Sequence, residues 1–134
     1  MLTPHAVRRL LPYAAVIALA LPVAVSGPAQ ASHGGDDGTR VSGSCGHGVH
    51  WRLKAKHDDG RIEVEAEIDS NHSGQRWQWT LKHNGSVSAK GHKRTAGSSG
   101  SFEVERRMSD LAGRDRFVIR ATHGGTTCRG VISA

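Results

Sequence analysis

The stretch Trp51-Arg52-Leu53-Lys54-Ala55-Lys56-His57-Asp58-Asp59-Gly60-Arg61-Ile62-Glu63-Val64-Glu65-Ala66-Glu67-Ile68 decides the fold class. Apolar residues at 51, 53 and 55 alternate with cations at 52, 54 and 56. Beyond a short break, apolar residues at 62, 64, 66 and 68 alternate with glutamates at 63, 65 and 67. A period of two is the mark of a strand with one buried face. Asp59-Gly60 between the runs is a two-residue hairpin signal. With those two residues as the loop, Lys56 faces Glu63, Lys54 faces Glu65 and Arg52 faces Glu67. On the other side Ala55 meets Val64, Leu53 meets Ala66 and Trp51 meets Ile68. One register satisfies both faces, and a slip of one residue breaks both.

The same period continues downstream. Trp77, Trp79 and Leu81 precede Val87 and Ala89, with Asn84-Gly85 between them. A two-residue Asn84-Gly85 loop sets Leu81 against Ser88, which mismatches the faces. A three-residue loop His83-Asn84-Gly85 with a bulge at Gly85 sets Leu81 against Val87, and is the expected form. Gly97-Ser98-Ser99-Gly100 leads into a strand that turns Phe102 and Val104 inward and carries Arg106 to a rim. A last hairpin turning at Gly124-Gly125 pairs Phe117 with Ile132, Ile119 with Gly130 and Ala121 with Cys128. The result is seven strands and no helical segment. The chain is expected to be all-β, a seven-stranded antiparallel sandwich, with a small closed barrel as the other way to close such a sheet.

The ends read differently. Residues 1–31 have the parts of a cleaved signal peptide: Arg8-Arg9, an apolar run from Leu10 to Val25, and the small-x-small site Ala29-Gln30-Ala31. Pro12 and Pro22 interrupt the run, so no membrane span is expected in the mature chain. Residues 32–44 (SHGGDDGTRVSGS) lack apolar periodicity and read as a flexible leader. Residues 45–134 form the folded domain. Cys45 and Cys128 are the two cysteines of an exported chain, and a single disulfide is their simplest fate. Closing a loop of that length adds about 4–5 kcal/mol in the chain-entropy picture.

Leu111-Ala112-Gly113-Arg114-Asp115-Arg116-Phe117-Val118-Ile119-Arg120-Ala121 resembles the E–F corner and F strand of immunoglobulin-like and fibronectin type III-like domains, here in a small secreted bacterial protein. Phe117 stands where those families usually place Tyr, and their B–F disulfide is absent. The resemblance implies that the first, second and fifth strands form one sheet and the remaining four the other.

Under that partition the first sheet carries glutamates beside cations on its outer face. The outward positions of the second sheet are Arg76, Lys82, Lys90, Arg120 and Arg129, with no carboxylate among them. The chain has no acid between Asp69 and Glu103 and none after Asp115, and its net charge is +6. Arg120 falls opposite Arg129, a like-charge pair that costs stability. These five residues are the candidate ligand contacts, and the expected partner is an anionic polysaccharide or cell-wall polymer outside the cell. A structural extracellular protein whose basic face is merely solvated is the alternative. The mature aromatics all have inward parity, which argues against base stacking and sequence-specific nucleic-acid binding. His47-Gly-Val-His50 supplies two ligands where a metal site needs three or four, so neither metal nor cofactor is expected. Glu63, Glu65 and Glu67 face cations, and no nucleophile stands beside a base. The expectation is a monomeric, non-catalytic module.

Overall fold

The computed structural model describes residues 32–34 and 38–134. The expected signal segment 1–31 lies outside them. Nine strands follow in order: β1 (Ser32–Gly34), β2 (Gly38–Ser44), β3 (His50–Asp58), β4 (Arg61–Asp69), β5 (Arg76–His83), β6 (Ser86–Arg94), β7 (Ser101–Ser109), β8 (Arg116–His123) and β9 (Thr126–Ser133). All pairings are antiparallel. One sheet has the order β1-β2-β3-β4-β7 and the other β6-β5-β8-β9, each with four principal strands and β1 a short addition to the first.

The β3–β4 hairpin has the register that its two faces demand, from Asp58 opposite Arg61 to His50 opposite Asp69. Asp59 (φ 48°) and Gly60 (φ 71°) are both left-handed, the backbone of a turn whose twist matches the strands it joins. Leu53, Ala55, Ile62, Val64, Ala66 and Ile68 are buried on the inner face. Their counterparts from the second sheet are Trp77, Trp79, Leu81, Phe117, Ile119 and Ile132, and all belong to one apolar cluster. Trp77 meets Phe102 across the layers with ring centroids 6.3 Å apart.

Two expectations need correction. The strand count is higher than seven, because Gly38–Ser44, read as leader, is strand β2, paired with β3 from Thr39–Ala55 to Ser44–His50. Its composition conceals it: Val41 is its one apolar side chain, and backbone pairing along β3 supplies what periodicity does not. The second correction concerns the β5–β6 hairpin. Its loop is the two-residue Asn84-Gly85, with φ of 46° and 87°. His83 pairs with Ser86 and Lys82 with Val87, but Leu81 pairs with Ala89. The extra residue is therefore Ser88, inside the strand, and not the turn glycine. A bulge there restores the inward parity of Ala89 and leaves Val87 55% exposed.

The two margins of the molecule differ. At one, β9 packs against β2 and β3, and Cys45 is joined to Cys128. Trp51 fills this seam between two glycines. A Cβ on Gly43 would lie 2.6 Å from its indole, and one on Gly130 would lie 2.7 Å from it. At the other margin β6 and β7 touch lightly. Ser88 Oγ donates to Met108 Sδ at 3.2 Å, and Arg106 lays its guanidinium over the Trp79 ring at 5.3 Å.

Candidate anion-binding face

Pairing within the second sheet sets its outward residues in rows. Lys90, Thr80, Arg120 and Arg129 form one row across β6, β5, β8 and β9. In the next, Val87, Lys82, Val118 and Val131 lie side by side. Arg116 opposite Ser133 closes that end of the face, and Arg76 opposite Arg94 begins the other. Strand parity produces this surface: each of these strands gives its alternate residues to the core, and the remainder contain no acid.

Of the five residues expected at the site, Lys82, Arg120 and Arg129 gather around one cleft, while Lys90 stands one strand away in the same row. Arg76 lies at the far end of β5, beyond Gln78 and His92. The sequence reading missed Arg94 and Arg116. Both share parity with the expected residues, Arg94 with Lys90 on β6 and Arg116 with Arg120 on β8. All seven cations are exposed, and among the described residues none makes an ion pair.

The cleft has a volume of about 380 Å³ and is lined by Thr80, Lys82, Gly85, Arg116, Val118, Arg120 and Arg129. A larger one, about 430 Å³, lies on the outer face of the first sheet. There both signs of charge line the cleft, and most already have partners. Arg52 binds Glu67 at 2.5 Å and Lys54 binds Glu65 at 3.4 Å, while Arg107 pairs with Asp58. Such exposed pairs contribute about 0–1 kcal/mol each, and they leave little field for a charged ligand. The smaller cleft, by contrast, is lined by cations alone among its charged residues.

Beneath its Arg116 end lies a polar anchor. Asp115 is 1% exposed, and its carboxylate accepts hydrogen bonds from His83 Nε2 and from the Leu111 N–H. His83 in turn stacks on Phe117 with centroids 4.5 Å apart. Burial alone would raise the Asp115 pKa. The hydrogen bonds and the His83 charge outweigh it and hold the carboxyl below its ordinary value. Backbone bonds in both directions between Asp115 and Ala134 fix the start of β8 against the chain's end, so Arg116 projects from a rigid base.

Among the described residues, no three of His, Cys, Asp and Glu are placed to hold a metal ion. His47 Nδ1 lies instead 2.9 Å from Thr126 Oγ1. No helix among them is long and apolar enough to cross a membrane. No family model matches the chain, and no curated protein or solved structure matches it. What this face can do follows from its chemistry alone.

Proposed function

We propose that this is an exported, non-catalytic domain of immunoglobulin-like topology that binds anionic envelope or extracellular polymers through the outer face of β6-β5-β8-β9. The observation that carries the reading is a face of seven cations without a carboxylate or an ion pair. Arg120 stands directly opposite Arg129. Such an arrangement lowers stability in the free protein, and an anion between the two reverses the sign of that contribution. The β3-β4-β7 and β6-β5-β8-β9 grouping supports the topology, and the disulfide supports an oxidising compartment.

Co-sedimentation of the oxidised domain with purified envelope, and retention on immobilised polyanions, test the reading at low and high salt. Retention at low salt is expected to fall as salt screens the face. The double variant Arg120→Glu, Arg129→Glu is expected to lose retention while keeping the fold. Absence of binding at low salt, or retention untouched by the charge reversal, would overturn it.

A further inference from the structure

Val118 points outward by strand parity, yet it is only 8% exposed. Lys82 lies beside it on β5 and Val131 beside it on β9. Long cationic side chains around an apolar floor shield it with their stems and keep their heads in solvent. The cleft thus combines a hydrocarbon floor, one hydroxyl (Thr80) and four cations: Lys82, Arg116, Arg120 and Arg129.

We propose that this cleft recognises a phosphomonoester carried on a small organic skeleton. The inference rests on the anion-binding reading above and narrows it. A carboxylate or a sulfate ester brings one negative charge and would leave most of the four cations uncompensated. A phosphomonoester brings a charge of about −1.5 to −2 near neutral pH and three strong acceptor oxygens. Arg120 and Arg129 are neighbours across one strand pair, within reach of one group for two planar forks, which suit a phosphoryl better than a point charge does. Thr80 stands next to Arg120 in the row and offers a hydroxyl donor. The cleft volume of about 380 Å³ exceeds what a bare phosphoryl fills. The skeleton then lies along the hydrocarbon stems that cover Val118, toward Gly85, beside which there is open space.

The same chemistry could come from a soluble or polymer-borne phosphosugar or from a lipid headgroup, and two arms separate these sources. In the first, glucose 6-phosphate, glucose 6-sulfate and galacturonate are titrated into the oxidised protein, with amide chemical shifts as the readout. In the second, phosphatidylcholine vesicles are doped with phosphatidic acid or with phosphatidylglycerol. The phosphate ester is expected to bind about tenfold more tightly than the sulfate ester, for roughly one extra charge-assisted hydrogen bond. Its shifts should centre on Thr80, Lys82, Val118 and Arg120. Arg120→Gln should weaken it about tenfold, whereas Arg94→Gln, on the same face but outside the cleft, removes only a distant charge and should weaken it far less. Selective binding to phosphatidic acid vesicles alone would support the proposal with a lipid source, and binding of the sugar phosphate would support it with a soluble or polymeric one. Equal binding of phosphate and sulfate esters, or equal effects of the two substitutions, would overturn the cleft proposal and leave the general basic face standing. Failure of long polyanions as well as these small probes would overturn both.

Discussion

Asp115 is the acid whose surroundings differ most from water. Its folded-state pKa lies below its ordinary value near 3.8. A depressed carboxyl adds stability above the unfolded value and loses that contribution as pH falls through the folded one. Denaturant melts should therefore show an acid-side loss below about pH 4 that Asp115→Asn lacks. At neutral pH the same variant should be less stable by roughly 1.5–3 kcal/mol, because it gives up a charged acceptor. Equal acid slopes in the two proteins would refute the assignment. Gly130 is a second constrained position. An added Cβ would lie 2.7 Å from the Trp51 ring and 2.9 Å from Leu53 Cδ1, and Gly43 already holds the ring from its other side. Gly130→Ala is expected to cost about 1–3 kcal/mol in a urea melt, and an unchanged melt would mean that Trp51 can turn aside. Neither constraint was legible in the sequence. Asp115 looked like one more acid near a turn, and Gly130 like any strand residue opposite Ile119, because burial and close approach are properties of the packed pair.

Two edge strands carry features that oppose pairing with a second copy of the sheet. β6 and β7 border the loosely closed margin, and each carries a cation at an inward position: Lys93 opposite Trp77 and Arg106 opposite Val64. Inward charges and a bulge are devices that discourage an incoming strand, and the Ser88 bulge is the third such feature on this side. Replacing both cations, Lys93→Val with Arg106→Val, should give concentration-dependent association by light scattering, with the parent remaining monomeric. Monomeric behaviour of the double variant would assign the protection to the bulge alone. Legibility also divides by element. The β3–β4 and β8–β9 registers could be read because turn chemistry and both faces agree on one solution. In β5–β6 parity admitted an extra residue at either of two places, and nothing local separates them. β2 escaped because its glycine and serine positions serve contacts made by β3, as Gly43 serves Trp51.

For the whole molecule, the two outer faces differ in how their charges are compensated. On the first, cations of β3 pair with glutamates of β4; on the second, acids are absent. The resulting field would orient the domain as it nears an anionic surface, with the β5–β8 side leading. This asymmetry was visible early, since the acid-free intervals of the sequence coincide with four strands of one sheet. The cleft was not visible, because it depends on rows formed by four separate strands and on an outward valine that its neighbours cover. The Cys45–Cys128 bond also has a mechanical meaning. It joins the chain just after β2 to the middle of β9, across a separation of 83 residues. A pull applied between the N-terminal segment and the C-terminus passes through that bond, so the intervening loop carries no tension. The anion-binding strands β5, β6 and β8 lie within it, as does the start of β9 up to the bond. If the N-terminal segment is held and the domain is dragged by its end, β2 and the last residues of β9 can peel away. About 280 Å of extended chain between the cysteines stays out of the load path, and the cation rows on β5, β6 and β8 keep their spacing under strain.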